Sequence, residues 1–174
     1  MTGIAQKLQT DGYAAQRVAD SVGTCVRITP TVLNSDAYDS GDVLFTMTEI
    51  AEAVDENGGL ARLEQIVIYD KDDQAAAAWT LWFGAASTTL AAPDSAPSIS
   101  DANAAGASAG LGLRGLAVAS GDFIDAGGVK IATLRNLGLI VQAAADSRSV
   151  YVGAVVTGTP TQATSGIVVD LYFA

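Results

Sequence analysis

Apolar and polar residues alternate with period two along most of this chain, the pattern of a strand with one buried face. The rhythm starts at Thr24. Val26 and Ile28 lead to Val32, with a break at Pro30. The turn-rich stretch NSDAYDSGD (34–42) follows, and Val43 to Glu49 reads as the next strand. Asp55-Glu56-Asn57-Gly58-Gly59 is a strong turn signal. Leu60 to Tyr69 then alternates, with Leu63, Ile66 and Ile68 as strand formers, and Asp70-Lys71-Asp72-Asp73 closes it. Ala75 to Phe83 reads as its hairpin partner. There the alternation places Trp79, Leu81 and Phe83 on one face and Thr80 and Trp82 on the other.

The middle of the chain breaks the rhythm. Pro93 and Pro97 punctuate a loop, and Ser100 or Asp101 caps a short Ala-rich helix running to about Ala109. Gly106 and Gly110 weaken that helix. RGLAVASGDF (114–123) reads as a short strand. Period two returns over Val129–Leu134, Leu137–Ala143, Ser149–Thr157 and Gly166–Phe173, with turns at Arg135-Asn136, 145–148 and 158–166. About eight closely spaced strands predict an all-β sandwich or barrel over residues 24–174, with one short helix-containing insertion.

Residues 1–23 differ. Ile4, Leu8, Ala15, Val18 and Val22 recur at roughly helical spacing, with Gly12 and Gly23 interrupting or ending the pattern. Two readings stand side by side: a short amphipathic helix packed on its own domain, or an arm that orders on a partner. Ile4, Leu8, Tyr13 and Val18 are the candidate interface residues of this segment, and Trp82 joins them from the strand region.

Composition narrows the function. The chain of 174 residues carries a net charge of −10 and 49% hydrophobic residues. Disorder throughout is excluded, and the acidic balance argues against a nucleic-acid binder, which needs clustered Lys and Arg. Of the 19 acidic residues 15 are Asp, which together with the 18 Gly points to many turns. There is no histidine, which removes His-based triads, His general bases and His-ligated zinc. Cys25 is the single cysteine, so no disulfide forms within one chain, and between Thr24 and Val26 it reads as a small buried apolar residue. The first residues lack the basic and apolar regions of a signal peptide, and no stretch is apolar for the roughly 20 residues of a membrane span.

The remaining chemical candidates are weak. Asp70-Lys71-Asp72-Asp73 offers carboxylates to calcium but lacks the sixth-position Gly and twelfth-position Glu of an EF-hand loop, where Leu81 stands. It reads as a solvated hairpin turn, as do Asp36, Asp39 and Asp42 in theirs. Gly106-Ala107-Ser108-Ala109-Gly110 has the letters of a nucleophile elbow but no His partner. The Gly-rich run 109–115 is no phosphate loop, since no Lys-Ser/Thr follows it. Trp79 reads as core. Trp82, on the opposite face, is left for a second sheet, a subunit, solvent or a stacked sugar. No enzyme activity, cofactor or metal is expected.

The order of several short motifs resembles a known family. LEQIVIYDKDDQAAAAWTLWFGAAS (63–87), SISDANAAGASAGLGLRGLAVASGDF (98–123), the closing LIVQAAADSRSVYVGAVVTGTPTQATSGIVVDLYFA (139–174) and the upstream SDAYDSGDVL (35–44) are similar, in sequence and order, to decoration (cement) proteins of tailed-bacteriophage heads. The resemblance runs from about residue 26 to the end. It implies a jelly roll, assembled as a homotrimer, bound to the major capsid protein on the virion surface after synthesis in the host cytoplasm. It carries over no catalytic residue, and it implies no nucleic acid, membrane or small-molecule substrate as partner. The competing expectation is a jelly-roll carbohydrate- or receptor-binding module, which needs an exposed aromatic platform or a calcium loop.

Overall fold

The computed structural model describes residues 23–33, 37–72, 77–87, 90–105, 111–163 and 166–174. The segment 1–22, and with it Ile4, Leu8, Tyr13 and Val18, lies outside the described residues. The described residues form nine strands: β1 (Thr24–Ile28), β2 (Val43–Ile50), β3 (Leu60–Asp70), β4 (Ala78–Gly84), β5 (Arg114–Val118), β6 (Phe123–Asp125), β7 (Lys130–Gln142), β8 (Val150–Thr157) and β9 (Ile167–Phe173). A five-residue helix, α1 (Asp101–Ala105), lies between β4 and β5, and a single 3-10 turn (Ser120–Asp122) between β5 and β6. Residues 106–110, where the helix was expected to continue, are outside the described set.

The strands make two antiparallel sheets, ordered β1-β9-β3-β7-β6 and β2-β8-β4-β5. Their pairing is nested: β1 with β9, β2 with β8, β3 with β7 and β4 with β5. The inner faces meet in one core that includes Leu44, Phe45, Leu63, Ile66, Ile68, Trp79, Leu81, Phe83, Val152, Ala154, Val169 and Leu171, all 2% exposed or less. As expected, Trp79, Leu81 and Phe83 point inward, and Thr80 and Trp82 do not. Tyr38 crosses the core boundary: its hydroxyl accepts from Leu33 N at 2.8 Å and donates to Leu44 O at 3.1 Å. Burial raises its pKa.

Three expectations are corrected. β3 and β4 are not a hairpin. They belong to different sheets, because both edges of β3 are taken by β7 and β9 and both edges of β4 by β8 and β5. The stretch 114–123 is not one strand: β5 pairs with β4, and after the 3-10 turn β6 pairs with β7 in the other sheet. Finally, the two strands expected within 129–143 are one, β7 (Lys130–Gln142), with no turn at Arg135-Asn136. Asn136 (φ 57°) and Gly138 (φ 58°) adopt the left-handed backbone of a turn, but here they form a bulge. The β3–β7 register jumps from Leu63↔Leu139 to Gln65↔Arg135. That shift lets Leu134 and Leu137, three apart, both pack on the core, and it matches the three-residue step from Leu63 to Ile66 on β3.

The outer face of the smaller sheet is also covered. Val43, Met47 and Leu90 are buried there beside Trp82, Ile99, Leu113 and Tyr151. Residues 90–98 are pinned to β2 through Val43 N to Ser95 O and Asp94 N to Val43 O, both 2.9 Å. Irregular register between β2 and β8 lets neighbouring Leu44 and Phe45 both pack in the core, while Val43 serves the opposite face.

Candidate interaction surface

Strand pairing arranges the outer face of the five-stranded sheet in three rows. One row is apolar: Val168 on β9, Tyr69 on β3, Ile131 on β7 and Ile124 on β6, each opposite the next. Ile124 is 72% exposed, the most exposed large apolar side chain among the described residues. The second row runs Arg27, Asp170, Val67 and Thr133, and the third Cys25, Tyr172, Gln65 and Arg135.

The middle row holds a two-point ion pair. Arg27 grips Asp170 with two parallel bonds, Nε to Oδ1 at 2.6 Å and Nη2 to Oδ2 at 2.7 Å. Its guanidinium lies 5.7 Å from the Tyr69 ring centre, within cation–π range. Asp170 is only 3% exposed, whereas the Arg27 side chain is 64% exposed. The Arg27 hydrogen bonds hold the Asp170 carboxyl below the usual carboxylate range against the opposing effect of burial. The same pair raises the pKa of Arg27, so its charge is permanent.

That shift has a testable sign. A carboxyl whose pKa is lower in the folded chain adds stability above its unfolded value, about 3.9, and loses it as pH falls through the folded value. Asp170→Asn is therefore expected to lower the melting temperature at pH 7 and to flatten the wild-type decline below about pH 4. Melting curves from pH 2 to 7 check both; parallel curves for the two proteins would exclude Asp170 as a source of acid sensitivity. Asp70 acts in the opposite sense, since burial raises its pKa. Its ionised form costs stability at neutral pH, and that cost fades as pH falls through the raised value.

Cys25 corrects its expectation. It is exposed, because β1 is an edge strand and Val26 and Ile28 take its inward positions. It stands opposite Tyr172, whose hydroxyl pKa it raises through a hydrogen bond. Trp82 is half-buried against the chain's own cover, with Gly115 close beneath its ring: a Cβ there would lie 3.2 Å from Trp82 Cζ3. Trp82 is thus not an open stacking platform.

The acidic turns differ from each other. Asp39 is exposed and Asp42 closes a turn by donating its amide to Asp39 O, while Asp36 is outside the described residues. Asp70 is not solvated: it is 4% exposed and bonded to Gln162. Asp73 lies outside the described residues, and among those described no three His, Cys, Asp or Glu side chains cluster as metal ligands. No described helix is long and apolar enough to cross a membrane. The sheet-face rows had a partial signal in sequence, the outward residues of alternating strands, but which strands lie side by side did not.

Comparison with protein-family models, curated proteins and solved structures finds no match in any of the three.

Proposed function

We propose that this chain is a structural virion protein that binds the outside of a tailed-phage capsid and clamps its expanded shell. The observation that carries the reading is the nested pairing of β1–β9, β2–β8, β3–β7 and β4–β5. A long antiparallel ribbon rolled into two sheets has this order, and it supports taking the sandwich as a jelly roll with β6 added at one edge. The motif order that resembles decoration proteins adds the function. SDAYDSGDVL contributes the buried Tyr38 and the start of β2, and the 63–87 tract spans β3 and β4.

In this reading the apolar row Val168–Tyr69–Ile131–Ile124 meets the major capsid protein, and three copies associate. A trimer closes on itself, so it does not polymerise, and three weak contacts acting together bind far more tightly than one. Binding only the expanded shell stabilises that state by mass action.

The test is co-sedimentation with expanded shells that lack the protein, with light scattering for native mass. Saturable binding and a mass three times the 17.6 kDa chain are expected. Ile124→Asp changes a side chain that is 72% exposed, so it should fold normally while weakening shell binding at least about tenfold, roughly 1.4 kcal/mol. Wild-type protein that fails to bind shells would overturn the reading.

A further inference from the structure

The buried Asp70 has no place in the function proposed above. It ends β3. Among the described residues, its Oδ1 accepts from Asp72 N at 3.2 Å and its Oδ2 from Gln162 Nε2 at 3.4 Å. Both are long for a carboxylate, whose charge-assisted bonds run nearer 2.7–2.9 Å. Gln162 is 2% exposed, and its Oε1 is buried with no hydrogen-bond partner. Buried acceptors are almost always satisfied, so an orphan of this kind marks a missing positive or donor group.

Asp72 brings a second carboxylate to the same place. Its Oδ2 accepts from Ala163 N at 2.6 Å. Gly166 shows how closely the oxygens converge: a Cβ there would lie 1.9 Å from Asp72 Oδ2 and 3.0 Å from Gln162 Oε1. Both oxygens therefore border one point beside Gly166, which tolerates no side chain. Backbone bonds Lys71 N to Gly166 O (2.7 Å) and Gly166 N to Ala163 O (2.8 Å) fix that geometry.

We propose that Asp70, Asp72 and Gln162 hold a calcium ion that ties the end of β3 to the segment leading into β9. The donors are all oxygen: two carboxylates and one amide carbonyl. A hard cation suits them, and the flexible geometry of Ca²⁺, with 6–8 oxygens at 2.3–2.6 Å, suits donors drawn from two segments better than the strict octahedron of Mg²⁺. Water fills the other positions. The ion satisfies Gln162 Oε1 and compensates the burial of Asp70. Lys130, opposite Asp70 in the β3–β7 register, already supplies some positive charge to that carboxyl. Affinity is accordingly modest, about 10⁻⁴–10⁻³ M, the weak end of the range over which ligand charge and site rigidity tune calcium binding.

The experiment uses the full chain, stripped with EDTA, in thermal melts and calorimetric titrations with CaCl₂ and MgCl₂. About 10 mM Ca²⁺ should raise the melting temperature by roughly 5 °C, and Mg²⁺ by much less. Asp72→Asn should abolish the calcium-specific rise, and Lys130→Gln should tighten binding a fewfold. If Asp72→Asn does not fold, the wild-type titration decides. No binding heat and no calcium-specific rise would overturn the proposal. So would a wild-type rise that Mg²⁺ reproduces in full. Without a calcium response, an Asp70→Asn variant more stable than wild type would assign the site instead to a neutral Asp70 donating to a reoriented Gln162 amide.

Discussion

Leu81→Ala is expected to lower stability by about 3–4 kcal/mol, a large share of the 5–15 kcal/mol that holds a typical domain together. Leu81 is fully buried at the middle of β4, opposite Ala154 on β8 and Leu116 on β5. It shares its face with Trp79 and Phe83, and the Trp79 ring stacks obliquely on Phe123 of the other sheet at 5.2 Å. Truncation here removes apolar contacts from the layer that joins the sheets, and strands on both sides limit collapse into the cavity. For a chain of this length the melting temperature should fall by roughly 10 °C. Urea unfolding should show a lower midpoint with an unchanged slope. A fall below about 2 °C would mean that the sheets do not pack through Leu81.

Gly153→Val is expected to act on the opposite face of the same sheet. A Cβ at Gly153 would lie 2.3 Å from Leu90 Cδ1, 3.0 Å from Met47 Sδ and 3.3 Å from Phe45 O. Leu90 is fully buried and is the main apolar anchor of the cover over β2 and β8. The substitution must displace it. Losing the burial of one leucine costs about 1.5–3 kcal/mol, and overpacking adds strain of about 1–3 kcal/mol. Unlike Leu81→Ala, this change should open the cover before the sandwich unfolds. Proteolysis within 87–113 should accelerate at temperatures where the sheets stay folded, and Trp82 fluorescence should shift to the red. Cleavage no faster than in wild type would show that residues 90–98 are held by their backbone bonds to β2 alone.

The difference between these two sites was partly legible in sequence. The placement of Trp79, Leu81 and Phe83 against Trp82 follows from period two alone. What covers Trp82 does not, since it depends on a loop 8 to 31 residues further along the chain folding back. Asn136 and Gly138 show a second limit. Their left-handed backbone serves a tight turn and a bulge equally well, and only the matching step from Leu63 to Ile66 on the neighbouring strand selects the bulge. The Asp70 turn shows a third. An acidic run at a strand end ordinarily faces water, but Gln162, 92 residues away, closes over Asp70.

The sequence by itself determined most of the strands, the inward facing of Trp79, Leu81 and Phe83 and the exclusion of histidine chemistry, because periodicity, turn composition and the absence of histidine are local or compositional properties. Tertiary structure alone decided which strands are neighbours. It separated β3 from β4, joined Arg27 to Asp170 across 143 positions, exposed Cys25 on an edge strand and buried Asp70 beside an unpaired amide oxygen. Hydrogen-bond ladders accept many partners of equal length. The choice among them is made by how the whole chain buries both sheets at once, a collective property that no single segment carries.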